Sequence, residues 1–273
     1  MKKLFIFLFA FSFAVSQTEP VKDIHSNTPR VWALTHAMIH TEPGEFIKDG
    51  TIIIRHGKIE KVGRYIQIPG DAYEIDLEGA NVYAGFIDGW LEVKKDEKVK
   101  SPDDHWNNRM RSEYRAKDDL KIKDKDLKAL RSIGITAAHV VPEKGIFKGK
   151  SDLVVLNKEN VSVSKDVAQV MTFKTGGWGE PYPHSLLGII AFIRQSLYDA
   201  EWFGKSTAIV EKYPDENEPI PLNPGLAALE IFRANHRPML FMTREEHGAL
   251  RALNISREFN LNPSILSSGY EYR

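Results

Sequence analysis

Carboxylates and imidazoles are the groups in this sequence with the means to do acid–base or metal chemistry, for it holds nine histidines and no cysteine. Without a thiol there is no thiolate nucleophile and no cysteine-held zinc. The most suggestive stretch is Asn81-Val-Tyr-Ala-Gly-Phe-Ile-Asp88-Gly-Trp90-Leu-Glu92-Val93, an apolar run carrying two acids. Asp88 and Glu92 are four apart, so a regular strand points them the same way, roughly 13 Å from one another. Two carboxylates that act as acid and nucleophile sit about 5 Å apart, which sets this pair aside as acid–base machinery. His139 lies inside Ile135–Val141, a short buried-strand pattern, and is either a ligand near the strand end or a core histidine. His36 and His40 are also four apart, but in strand-like sequence, where that spacing does not converge as it does on a helix. His56 falls in a tight turn and His247 in a surface helix, which leaves His105 and His184 as lesser candidates. Glu143-Lys-Gly-Ile-Phe-Lys-Gly-Lys150 is rich in glycine and lysine. It lacks the order Gly-x-x-x-x-Gly-Lys-Ser/Thr and a following helix, so it is not read as a phosphate cradle.

The elements that must position these groups alternate. Val31–Ile39 reads as a strand, followed by the turn formers Glu42-Pro43-Gly44 and Asp49-Gly50. Thr51–Val62 holds two β-branched runs around His56-Gly57, a hairpin signal because such a turn needs positive φ. Lys94–Lys128 is rich in charge and reads either as a partly helical insertion or as a solvated loop. A helix over Lys125–Ile133 ends at Gly134, and the strand Ile135–Val141 ends at Pro142. Ser151–Leu156 and Val167–Phe173 read as short strands. A helix over Ile189–Phe203 follows, its core stripe formed by Leu186, Ile189, Ile190, Ile193 and Leu197. After a break at Lys212–Pro224, Asn223 can cap a helix over Leu226–Ala234, with Pro224 in its first turn. Arg237–Thr243 is a strand, Glu245–Phe259 a helix with Leu250, Leu253 and Phe259 inward, and Pro263–Ser268 a final strand. This alternation predicts an α/β fold with parallel pairing.

Composition bounds the rest. The chain has 273 residues, a net charge of +0, 42% hydrophobic and 27% charged residues. That balance is ordinary for a globular protein and carries no basic excess that would point to nucleic acid. Met1-Lys2-Lys3 followed by the apolar Leu4–Val15 and the small Ala14-Val15-Ser16 has the pattern of a signal peptide over residues 1–16. Its core is shorter than the roughly 20 residues that span a bilayer. The expectation is an exported chain with no transmembrane segment after cleavage, no lipid-anchoring cysteine, and a loosely packed polar lead at Thr18–Asn27.

Gly85-Phe86-Ile87-Asp88, preceded by the hairpin and by the turn Asp76–Gly79, resembles the amidohydrolase superfamily. There, a strand of the form Pro-Gly-Phe-Ile-Asp-x-His-x-His opens a barrel. Tyr182, Pro183, Ser185, Gly188, Ile193-Arg194-Gln195 and Tyr198-Asp199-Ala200 are similar to the exported imidazolonepropionase-like branch. The resemblance implies a small N-terminal β-domain (17–80) followed by a TIM-like (β/α)8 barrel (81–273, with inserted segments). It also implies metal-dependent hydrolysis of non-peptide C–N bonds, with zinc or another divalent metal held at the strand ends. Carried over position by position, the paired histidines are Trp90 and Glu92, a third stands as Met242, and a fourth falls at Ser268. Asp88 matches the frame acid as a structural anchor.

The strand bearing the family's catalytic aspartate would lie beyond Arg273. A full barrel takes about 250 residues, against roughly 190 here after Asn81, so the barrel is expected to be incomplete. The candidate mouth residues are therefore Asp88, Trp90, Glu92, His139, Met242 and Ser268. Catalytic residues are left unassigned and no metal is expected, with Glu92 and His139 the side chains that can still ligate one. The expected function is a truncated or catalytically degenerate amidohydrolase. The alternative is a non-catalytic exported partner of another hydrolase chain. A third reading is an active enzyme built on Glu92 and His139. A second chain or a C-terminal continuation would complete the barrel.

Overall fold

The computed structural model describes residues 30–94, 105–157, 161–174 and 182–269. The segment expected to be a signal peptide (1–16), the expected polar lead and the Asp103-Asp104 pair lie outside them. Two compact units divide between Ala84 and Gly85.

The first unit is one sheet of β1 (Val31–Glu42), β2 (Glu45–Arg55), β3 (Lys58–Gly63), β4 (Tyr73–Asp76) and β5 (Asn81–Val82). Its order is β3-β2-β1-β4, and β5 also pairs with β1. Val31 and Ala33 of β1 pack with Ile53 of β2, while Ala37 and Ile39, beyond a register shift, pack with Ile52 in a second cluster on the other face. The expected hairpin turn is present: His56 (φ 50°) and Gly57 (φ 73°) both take the left-handed conformation that such a two-residue loop needs. Asp49-Gly50 differs from expectation, lying inside β2 at a register irregularity where Ala37 faces Gly50. Asp49 (φ 53°) and His36 (φ 51°) absorb the local kinks, so His36 is a bulge residue rather than a plain strand residue.

The second unit is a six-stranded sheet curled into part of a barrel, ordered β11-β10-β9-β8-β7-β6. Its strands are β6 (Phe86–Val93), β7 (Ile135–Pro142), β8 (Phe147–Val155), β9 (Ser162–Thr172), β10 (Pro238–Met242) and β11 (Asn262–Leu266). Pairing is parallel for β6–β7, β9–β10 and β10–β11, as alternation predicts. It is antiparallel for β7–β8 and β8–β9, against expectation. The reason is the short link after Pro142: parallel neighbours need a long crossover, and four residues allow only a reversal. Among the described residues β6 pairs only with β7, and β11 only with β10.

Helices α1 (Asp124–Ser132), α2 (Leu186–Lys212), α3 (Pro224–Ala234) and α4 (Glu246–Glu258) accompany this sheet, with a 3-10 turn at Ala116–Asp119. Ser185 caps α2 by accepting from the Gly188 N–H, and Asn223 caps α3 by accepting from the Leu226 N–H. Pro224 occupies the first turn of α3. The largest core cluster joins Ile189, Ile193, Leu197, Leu229, Phe232 and Ile255 of the helices to Phe147, Met171 and Phe241 of the sheet. One inward assignment is corrected: Leu250 is 55% exposed, because α4 turns Ala252, Ile255 and Ser256 to the sheet.

The described part of the charge-rich segment is not a solvated loop. His105, Asn107, Arg109 and Ser112 are buried. Arg109–Arg115 runs beside β8 where β7 has stopped, with bridges Met110–Phe147 and Arg115–Lys150. This approach explains the glycines of the Glu143–Lys150 stretch. At Gly149 (φ 126°) a Cβ would meet the Tyr114 carbonyl at 2.5 Å, and at Gly145 (φ 110°) the Phe147 carbonyl at 2.7 Å.

Candidate functional site at the C-terminal ends of the second sheet

In a barrel of parallel strands the chemistry sits where the strands end. Here that rim receives Trp90 and Glu92 from β6, Val141 from β7, Thr172 from β9, Met242 from β10 and Leu266 from β11. Because β8 runs the other way, its first residues, including Lys148, reach the same rim. Trp90, Met242 and Leu266 pack with Val141, Ala168, Val170 and Leu240 as an apolar lining.

Glu92 faces a cation across this rim. Lys148 Nζ lies 3.4 Å from Glu92 Oε1 and 5.9 Å from the centre of the Trp90 ring. Lys148 is 4% exposed, whereas the Glu92 side chain is 41% exposed. Burial holds the Lys148 ammonium below the ordinary lysine range, and the charge of Glu92 opposes that shift.

A bulge in β6 separates the two acids. Asp88 shares a register row with Ala138, Leu91 with Val140 and Glu92 with Val141, so one extra residue is taken up between Asp88 and Leu91. The expectation that Asp88 and Glu92 point the same way is corrected: Ala138 belongs to the cluster with Val140 and Leu91, on the opposite side of the sheet from Val141 and Trp90. Asp88 Oδ1 instead accepts from the Trp90 N–H at 3.0 Å, fixing the bulge that presents Trp90.

His139 is on the lining side but deeper. Its Nε2 is 2.8 Å from Ser151 Oγ and its Nδ1 is 3.3 Å from the Gly89 carbonyl. Ser151 Oγ in turn accepts from the Ala168 N–H at 3.1 Å. The serine hydroxyl also donates to the Ala168 carbonyl at 3.2 Å, so Ser151 joins the His139 ring to β9. His139 is a tie between β6, β7 and β8, and burial depresses its pKa.

Ser268 does not join the group, because its hydroxyl is exposed and donates to the Arg244 carbonyl at 3.1 Å. His40 stacks on Tyr83 with ring centres 4.2 Å apart, and His36 pairs with Asp76 at 3.1 Å. His105 is buried against Asn107, while His184 and His247 are exposed. No set of three histidines, aspartates or glutamates able to hold a metal occurs among the described residues. Glu92 is matched to a lysine and His139 to a serine and a carbonyl, so the donor set at this rim does not fit zinc or another divalent ion.

The residues of the second sequence likeness turn out to hold helices. Arg194 bonds Glu258 of α4 at 2.8 Å, Gln195 bonds Asp199 at 2.6 Å, and Tyr198 meets Phe259 edge-on at 4.8 Å. The Pro183 carbonyl accepts from buried Arg109 at 2.8 Å. Lys148 and Ser151 were missed by sequence reasoning. Lys148 belongs to a stretch whose glycines suggest a loop, while Ser151 opens the expected strand Ser151–Leu156 and carries no motif that marks it as a partner of His139.

No family model matches the chain, and no curated protein matches it. A prolidase solved with N-methylphosphonate-L-proline is loosely similar, with a TM-score of 0.39 and 11% identity over 85% of this chain and 65% of that one. An amidohydrolase from Thermotoga maritima MSB8 is similar with a TM-score of 0.70 and 20% identity, covering 85% of this chain and 63% of that chain. This chain spans less than two thirds of the Thermotoga protein's length. Over most of its own length, the chain has the fold of an amidohydrolase.

Proposed function

We propose that this chain is an amidohydrolase-type protein in which the metal-binding function of the barrel rim has been lost, so that it binds rather than hydrolyses. The observation that carries this reading is the commitment of Glu92, 3.4 Å from Lys148, to an ammonium. A carboxylate so paired would have to be shared between two cations to hold a metal, which the buried ammonium opposes by charge repulsion. Elemental analysis of the purified mature chain tests it. Zinc, iron and manganese well below one per chain are expected, and a stoichiometric metal overturns the reading.

Export belongs to the same proposal, supported by Met1-Lys2-Lys3 and the apolar Leu4–Val15 and by the likeness of Tyr182–Ala200 to an exported branch of the family. Sequencing the N-terminus of protein recovered outside the cytoplasm should give a chain starting at Gln17, and an intact Met1 there would refute it.

A second reading rests on the sheet edges. With β6 and β11 each paired on one side among the described residues, further strands from a continuation or a second chain would satisfy their free backbone groups. Light scattering on the purified protein should then give a mass well above the 31.0 kDa of this chain. A monodisperse particle of a single such chain would exclude the partner form.

A further inference from the structure

α2 is the longest helix among the described residues, and its outward face is unlike that of a solvated helix. At about 3.6 residues per turn, Ile189, Ile193, Leu197 and Ala200 fall on one side, which enters the core. The opposite side carries Ala191, Tyr198, Trp202 and Ile209, with Leu187 and Lys205 at its margin. Leu187, Tyr198, Trp202 and Ile209 are each more than half exposed. Isolated apolar residues on a surface are ordinary, but four in one row along about six turns form a patch of the kind that marks an interface.

The row is matched to a second copy of itself. Leu187 and Ile209 lie eleven residues either side of Tyr198, Ala191 and Lys205 seven, and Arg194 and Trp202 four. A two-fold axis through Tyr198 therefore sets Leu187 against the partner's Ile209, Ala191 against the partner's Lys205 and Arg194 against the partner's Trp202. Aliphatic meets aliphatic, a methyl group meets the apolar stem of a lysine, and a guanidinium meets an indole face. None of these pairs opposes like charges. Lys205 keeps Glu201 at 2.6 Å and Arg194 keeps Glu258 at 2.8 Å, so both cations are already balanced within their own chain. From Leu187 to Ile209 the face runs roughly 33 Å. With two aromatic rings on it, such a face offers several hundred Å², on the scale of the roughly 800 Å² that each partner gives to a specific interface.

We infer that two copies of this chain pair through the Leu187–Ile209 face of α2, antiparallel and about a two-fold axis at Tyr198. Sedimentation equilibrium on the purified wild-type chain tests the assembly. Trp202→Glu, a change at an exposed position, should halve the particle mass, and circular dichroism checks that the variant is folded. A pairing through the β6 or β11 edge would survive that substitution. A Trp202→Glu particle as heavy as the wild type therefore overturns the α2 contact and leaves the edge reading standing. A wild-type chain that sediments alone overturns the contact as well. Because the chain has no cysteine, the arrangement can be read with single thiols. Ala191→Cys and Lys205→Cys chains, unfolded and refolded together, should be joined by a short bismaleimide at least fivefold more than either variant alone. Equal joining of Ala191→Cys with itself would overturn the antiparallel pairing.

Discussion

Glu92 and Lys148 meet across the rim from strands that run in opposite directions, one nearly sealed from solvent and the other half open to it. The pair is therefore asymmetric in what each partner loses when the other is removed. Glu92→Ala leaves a buried ammonium without its counter-charge, a loss that in buried pairs costs about 3–5 kcal/mol. Lys148→Met leaves a carboxylate that water can reach and keeps the volume filled, so the change should stay within about 1 kcal/mol. Urea denaturation of the two variants should rank them in that order, and equal destabilisation would contradict the asymmetry.

The tie made by His139 predicts a pH dependence. Its folded pKa lies below its ordinary value, so the unfolded chain binds the proton first as pH falls. The stability it contributes is complete above about pH 6.5 and declines as pH drops below that value. Urea midpoints measured between pH 7.5 and 5 should fall, and His139→Phe should flatten that part of the profile.

Asp152 should act with the opposite sign. Burial raises its pKa, against the Asp166 N–H bond and the charge of Arg115, so the folded chain holds its proton more tightly than the unfolded chain does. Its contribution is greatest in acid and is lost as pH rises above the ordinary value of 3.8 and through the raised one. Asp152→Asn keeps the shape and removes the titration. Its stability relative to wild type should therefore improve with rising pH, and parallel profiles would refute the assignment.

Gly149 and Gly44 both have positive φ, but only one is crowded. Gly149→Ala forces a Cβ to 2.5 Å from the Tyr114 carbonyl, and the clash together with the strained φ should cost about 3 kcal/mol or more. Gly44→Ala meets nothing within 4 Å and should cost about 1 kcal/mol from φ alone. Thermal denaturation of the two variants checks the difference.

Much of the architecture was legible in the residues. The His56-Gly57 turn, the cap at Asn223 and the strand at Pro238–Met242 follow from local chemistry, which acts over a few residues. The direction of β8 was not legible, because it follows from the four-residue link after Pro142, and Phe147–Lys150 becomes strand beside Arg109–Arg115, residues more than thirty positions earlier. The face of Asp88 was lost for a similar reason: one bulge residue reverses an alternation pattern, and no residue type announces it. At the rim, Trp90, Glu92 and Met242 were found by likeness of frame. Their actual partners were hidden in a stretch that reads as a loop.

The reversed run of β8 has a consequence for the order in which this sheet assembles. β7, β8 and β9 are consecutive in the chain and joined without intervening helices. Their ladders therefore close over short loops, with little entropy lost, while β10 and β11 must wait for α2, α3 and α4. As the polypeptide emerges from the ribosome, this meander can gather before the later strands are made, a template onto which they are then laid.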